Sequence, residues 1–220
     1  MKKIFFTLLV LFSISSFAQN HFLGLQFGLN SSRAYGVSYV ENDKNINLFA
    51  AGMTYNYQFK NNILLGSGLF YDSRGSINEI SLTNDEGIVL EIVDMRSKFS
   101  YLSIPLKAGY QIGQKWSGFA YLGLVPSYLL KAESMFPGVN ASDDDYEERV
   151  IDIMEGLNKF DLSAMIELGS NYQLNDKLAL YISGSYQRGI TEVYKNADSP
   201  FIKHYRFNIS LGVKYALKGE

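Results

Sequence analysis

Residues 203–217 read KHYRFNISLGVKYAL, and what this stretch packs against decides the fold. From Tyr205 every second residue is apolar: Tyr205, Phe207, Ile209, Leu211, Val213, Tyr215 and Leu217. Between them stand Arg206, Asn208, Ser210, Gly212, Lys214 and Ala216, which are polar or small. Side chains on a strand alternate faces, so one face of this segment is apolar and the other carries two cations. A soluble sheet can show the same alternation on one strand. The decision therefore rests on whether the pattern recurs, and at what length.

It recurs about eight times along the chain. Moving toward the N-terminus, Leu178, Leu180, Ile182 and Tyr186 oppose Ser183, Ser185 and Gln187. Phe160, Leu162, Ala164, Ile166, Leu168 and Tyr172 oppose Asp161, Ser163, Glu167, Gly169 and Asn171. Ala120, Leu122, Leu124, Tyr128 and Leu130 oppose Ser117, Tyr121, Gly123, Ser127 and Lys131. Leu102, Ile104, Leu106, Ala108 and Tyr110 oppose Ser103, Lys107 and Gly109. Three further runs, around 63–72, 49–59 and 23–30, follow the same rule, with Asp72 on the polar face of the first. Most runs are longer than the usual strand of a soluble sheet and match the length of a tilted transmembrane strand.

The connectors alternate in length. Residues 31–47, 73–98, 132–159 and 189–203 are long; 60–62, 112–115 and 174–177 are short. Short turns on one side and long loops on the other mark an up-and-down barrel in an outer membrane. The polarity of the faces agrees. Asp72, Lys107, Asp161, Glu167, Arg206 and Lys214 all fall on the small, polar face, while the other is almost free of charge apart from Arg188 at a loop end. Charges belong in a polar lumen and the apolar face in lipid. Tyr57, Phe59, Tyr110, Tyr172 and Tyr215 fall at one set of strand ends, with Trp116 beside them. Tyr71, Tyr128, Phe160, Tyr186 and Tyr205 fall at the other. This is the spacing of two interfacial aromatic girdles.

Composition bounds the function classes. The chain has 220 residues, no Cys, 19 Gly, 16 Tyr, 15 Phe and a formal net charge of −2. The absence of Cys excludes disulfides, thiolate metal sites and a lipidated N-terminal Cys. The balanced charge gives no basic face for nucleic acid. At the start, Lys2 and Lys3 precede the apolar run 4–12 and then SISSFAQ, with Ser16 and Ala18 at the positions a signal peptidase reads. Residues 1–18 are thus expected to be a secretory signal peptide and 19–220 the barrel domain.

Two long connectors have a pattern of their own. Residues 75–95 centre on Thr83-Asn84-Asp85-Glu86-Gly87, which predicts a hairpin rising above the membrane. Residues 142–157, SDDDYEERVIDIMEGL, predict a short helix capped by Ser142, with Tyr146, Val150, Ile153, Met154 and Leu157 on one side. Its acids, Asp143-Asp144-Asp145 with Glu147 and Glu148, lack the alternating ligands and glycine of a calcium loop. No metal or other cofactor is expected.

The end of the last strand is the strongest motif. Ser210, Gly212, Tyr215 and Leu217 fit the C-terminal assembly signal of outer-membrane barrels, displaced from the terminus by Lys218-Gly219-Glu220. The match implies handover to the barrel-assembly machinery. Three further stretches carry a family resemblance. Residues 98–110, KFSYLSIPLKAGY, are similar to the Tyr-Leu-x-Ile-Pro-Leu strand of PorT-like outer-membrane barrels, and 121–132, YLGLVPSYLLKA, resemble the strand that follows it. Phe160-Asp161 and Gly189-Ile190-Thr191 resemble the family's third region. The resemblance implies a non-enzymatic outer-membrane protein and, for the family's named member, a link to type IX secretion.

An enzyme acting on lipid would need a nucleophile, a base and an acid at the rim. His21 lies beside the cleavage site and His204 at the start of the last strand near Ser199, and no triad spacing joins them. The inward charges Asp72, Lys107, Asp161, Glu167, Arg206 and Lys214 are the best candidate set, and isolation would be costly, so they are expected to pair. The whole reads as an all-β, eight-stranded, antiparallel up-and-down transmembrane β-barrel of the bacterial outer membrane. Its expected partners are outer-membrane lipid, the assembly machinery and envelope proteins met through the long loops. The alternative role is a small-solute channel.

Overall fold

A computed structural model of the chain describes residues 20–36, 44–83, 88–136, 149–195 and 202–217. The expected signal peptide, the acids 143–148, the turn residues 84–87, Ser199 and the tail 218–220 lie outside the described residues.

Among the described residues, ten strands form one antiparallel sheet. They are β1 (Asn20–Gly36), β2 (Ile46–Gln58), β3 (Ile63–Thr83), β4 (Val89–Ser103), β5 (Leu106–Gly113), β6 (Trp116–Phe136), β7 (Arg149–Asp152), β8 (Phe160–Gln173), β9 (Leu178–Gly189) and β10 (Ile202–Leu217). β1 pairs with β2 and with β10. β10 pairs with β9, β9 with β8, and β8 with β6. β6 pairs with β4 and β5, both of these with β3, and β3 with β2.

The split between β4 and β5 has a local cause. Pro105 has no N–H to give to a ladder, so the strand is interrupted there, although Ile104 N–H still donates to the Pro126 carbonyl (2.9 Å). The register runs through regardless. Ser103 faces Phe70 and Leu106 faces Ser67 on one side; Ser103 faces Ser127 and Leu106 faces Leu124 on the other. One expected run is therefore two strands.

The short turns run Phe59 to Asn62, Gln114 to Lys115 and Leu174 to Lys177. Asn62 (φ 65°) and Gly113 (φ 103°) take the left-handed conformations that such turns need. At the other end the strands outrun the expected boundaries. β3 continues to Thr83 and β4 starts at Val89, so the expected hairpin is present. Beyond Asp72, β3 leaves β2, and side chains of β1 take over its backbone. Asn30 Nδ2 donates to the Ser73 carbonyl (2.9 Å), and Ser32 Oγ accepts from Gly75 N–H (3.1 Å). Lys44 braces the extension through Glu79 (2.7 Å) and Asp94 (3.3 Å), whose hydrogen bonds raise its pKa above that of a free lysine.

Two expectations are corrected. Residues 149–152 are a strand, β7, paired with β6 from Glu133 to Phe136, and not part of a helix. The chain then turns, with Asp152 Oδ1 accepting from Met154 N–H (2.8 Å) and Gly156 at φ 88°, and both features stop a helix. Lys131 also faces the other way. The register shift opposite Ser100/Tyr101 turns it outward, where it pairs with Glu133 at 2.6 Å.

The sheet's two faces are inverted relative to a soluble protein. Leu25, Leu122, Leu168, Ile209 and Leu211 are among many large apolar residues left exposed, Leu122 at 66 %. Asn30, Thr54, Asp72, Asp161, Glu167, Arg206 and Lys214 are buried. Replacing Gly113 by Ala tests the tightest turn. Its positive φ and the Ser117 Cα 3.0 Å from the new Cβ predict a loss of stability on the order of 1–3 kcal/mol, read by urea unfolding of the refolded protein.

Candidate functional site: the charged interior

The buried face carries two layers of charge, with a small cavity between them that Asp72 and Arg206 of one and Lys107 and Glu167 of the other line. The first, toward the long connections, is built on Arg74. β3 presents Asp72 and Arg74 two residues apart, hence on one face. Arg74 is 1 % exposed and Asp72 fully buried. The Arg74 guanidinium pairs with Asp161 of β8 through Nη1 and with Asp72 through Nε (3.4 Å). Its Nη2 donates to Ser127 Oγ at 2.7 Å, and Tyr101 lies under its plane at 4.4 Å. Arg206 of β10 closes the set by pairing with Asp72 and donating to Gln187 Oε1 (2.7 Å).

Hydroxyl groups fill the remaining acceptor positions. Ser103 donates to Asp72 at 2.6 Å, and Asp161 accepts from Ser163 (3.1 Å) and Thr191 (2.9 Å). Two arginines and two aspartates, drawn from β3, β8 and β10, thus form a neutral cluster. Planar guanidinium forks suit such a cluster, because each offers several fixed donors.

The second layer lies toward the short turns. Lys107 of β5 pairs with Glu167 of β8 at 2.5 Å and sits over the Tyr121 ring at 4.5 Å. Lys214 of β10 donates to Asn171 Oδ1 (2.8 Å) and lies between the Phe119 and Tyr181 rings, 4.7 Å from each centroid. Two glycines make room for those rings. A Cβ on Gly212 would stand 2.5 Å from the Tyr181 hydroxyl, and one on Gly169 2.8 Å from Phe119 Cε1. Gly212, expected as part of an assembly signal, is thus also the residue that lets Tyr181 lie against β10. Ser210 beside it is buried, and Tyr215 and Leu217 are exposed on the opposite face.

Apolar groups cover the first layer. Phe99, Tyr101, Leu129 and Ala132 from the sheet pack with Leu157 and Val193 from two connections, which are held together by Asn158 N–H to the Val193 carbonyl (2.8 Å). His204 is buried here against Phe99, centroids 4.9 Å apart, with no hydrogen-bond partner for either ring nitrogen among the described residues. A catalytic histidine needs such a partner to hold its tautomer, so the geometry gives His204 no relay. His21 is half-buried and meets the Tyr55 hydroxyl at 2.7 Å, far along the chain from His204.

All six inward charges expected from the sequence lie on the buried face. They divide between the two layers: Asp72, Asp161 and Arg206 in the first, Lys107, Glu167 and Lys214 in the second. Arg74, the hub of the first layer, is not among them, because the alternation in the sequence makes residues 73–98 a connector. The signal was present in its spacing from Asp72. The rings that flank the cations, Phe119, Tyr121 and Tyr181, stand at polar-face positions and would have been found by asking what aromatic residues do there.

An exposed apolar face, a buried polar face and aromatic residues at both strand ends define a membrane β-barrel protein. The chain belongs to the outer membrane protein beta-barrel domain family, whose model matches residues 17–195, and its place is the bacterial outer membrane. Solved structures with a similar arrangement include the attachment invasion locus protein Ail of Yersinia pestis, in complex with the heparin analogue sucrose octasulfate. It is 17 % identical, with 90 % of this chain and 99 % of that one covered and a TM-score of 0.42. Neisserial surface protein A is 13 % identical over 88 % and 96 %, with a TM-score of 0.45. OprG of Pseudomonas aeruginosa is 12 % identical over 92 % and 97 %, with a TM-score of 0.44. No curated protein sequence matches the chain.

Two substitutions test the inversion. Leu122→Arg puts a charge on the lipid face and is expected to cost about 2–4 kcal/mol of stability in vesicles. Arg74→Leu leaves Asp161 without a cation and is expected to cost about 3–5 kcal/mol, with partial recovery when Asp161→Asn is added. Urea titration of the refolded variants reads both.

Proposed function

We propose that the chain closes into an eight-staved up-and-down barrel, in which β4 and β5 form one stave and β7 is an addition beyond the wall. The continuous register across Pro105 and the pairings β1–β10 and β2–β3 support this. Lipid offers no partner to an open strand edge, which favours closure further. By the usual asymmetry of such barrels, the short turns and both termini face the periplasm and the long connections the exterior.

On this reading the protein is a non-enzymatic envelope component that acts through its wall and its outer extensions. It is an accessory of the PorT-like kind, engaged with secretion or assembly partners in the same membrane. One observation carries this: the interior is closed at the level of the first layer and its cap. The neutral Arg/Asp cluster and the cap of Phe99, Leu129, Ala132, Leu157 and Val193 occupy the path a solute would take. The β3–β4 extension, with Ile88, Val89 and Ile92 exposed, supplies a surface for partners.

A small-solute channel is the second reading, favoured by a cavity of about 300 Å³ at the short-turn end. Planar-bilayer recording of the refolded protein separates the two. The accessory reading expects no sustained openings; long-lived conductance at low voltage would replace it with the channel. Co-purification of an envelope complex from native membranes is the matching positive result.

A further inference from the structure

Among the charges described on the buried face, Lys214 is the one left over. Arg74 and Arg206 are matched by Asp72 and Asp161, and Lys107 by Glu167 at 2.5 Å. Lys214 has no carboxylate within ion-pair distance among the described residues; its contacts are a neutral amide oxygen and two rings. An ammonium held this way has no opposite charge beside it to offset its removal from water.

The charge also borders open space. Lys214 lines the cavity of about 300 Å³ at the short-turn end, whose wall carries the carboxamides of Asn56, Gln58, Gln111, Asn171 and Gln173. The packed set of Leu64, Phe119, Tyr121 and Tyr181 lies beside it on the interior side. The other charged groups along the cavity are Asp176 and Lys177, both exposed at its rim and opposite in sign. A cation backed by aromatic rings and surrounded by amides that both donate and accept is the chemistry that holds an anion partly out of water.

We propose that this cavity is a binding site for a small oxyanion, a carboxylate or phosphate group entering from the short-turn end, with Lys214 as its counter-charge and the carboxamides as hydrogen-bond partners. The site is independent of whether the lumen is sealed at the other end. Its failure and the failure of the accessory reading are separable, because one is read by binding and the other by conductance.

The test is a titration of the full refolded protein in detergent micelles with succinate, with inorganic phosphate and with glucose as a neutral control, followed by amide NMR shifts. Saturable shifts at Asn171 and Lys214 with either anion, and none with glucose, support the site, and the anion that acts assigns the head group. Lys214→Met is expected to weaken the response about tenfold or more, the worth of a charge-assisted hydrogen bond. Lys177→Met at the rim is expected to retain it. Should Lys214→Met fail to fold, Asn171→Asp decides, because it supplies an internal carboxylate beside Lys214 and is expected to abolish binding in a folded barrel. Shifts that are absent with both anions, or unchanged in Asn171→Asp or in folded Lys214→Met, overturn the proposal and leave Lys214 as a structural cation.

Discussion

A charge removed from water needs an opposite charge or several donors within hydrogen-bond reach, and the interior of this barrel is organised by that demand. Because the apolar side chains face lipid, the polar ones are left to pack against one another. Arg74 meets the demand from the centre. Its single guanidinium joins β3 to β8, shares Asp72 with Arg206 of β10, and stacks on Tyr101 of β4. Strands far apart in sequence are thereby fixed at one height. A lysine in its place would supply one compact charge and lose the fork.

The same constraint explains the order of layers along the barrel. The neutral Arg/Asp cluster tolerates an apolar cap, because both its carboxylates find counter-charges and hydroxyl donors within it. The second layer carries one cation more than carboxylates, and there the interior opens to a cavity lined by amides rather than closing over an apolar seal. Rings replace missing acids: Phe119, Tyr121 and Tyr181 offer their faces to Lys107 and Lys214. Gly169 and Gly212 are small so that two of those rings can lie flat against the neighbouring strand.

Much of this was legible in the sequence, because a two-residue period assigns every side chain in a regular strand to a face. The parity of 203–217 placed Arg206 and Lys214 inside and Tyr215 outside, and the structure has them so. Legibility ended where the period broke. The register shift beside Ser100/Tyr101 reversed Lys131, and strand length beyond the expected membrane span hid Arg74 in what looked like a loop. The apolar residues of 153–157 suggested a helix because their spacing suits one. Gly156 and the Asp152 side chain instead make turns, and Leu157 is buried by docking on the cap. Which cation pairs with which acid was beyond reach, since that depends on register between strands and not on parity within one.

The central claim is the inversion itself, apolar side chains in lipid and polar ones enclosed. It is tested most directly on β10, in a chain that has no native Cys to remove. Single cysteines at Phe207, Asn208, Ile209, Ser210 and Leu211, each carrying a nitroxide, report their surroundings in vesicles through collisions with oxygen, which concentrates in lipid. The inversion predicts an alternation of period two, with high oxygen accessibility at Phe207, Ile209 and Leu211 and low accessibility at Asn208 and Ser210. Equal accessibility at all five, or the opposite alternation, would contradict it.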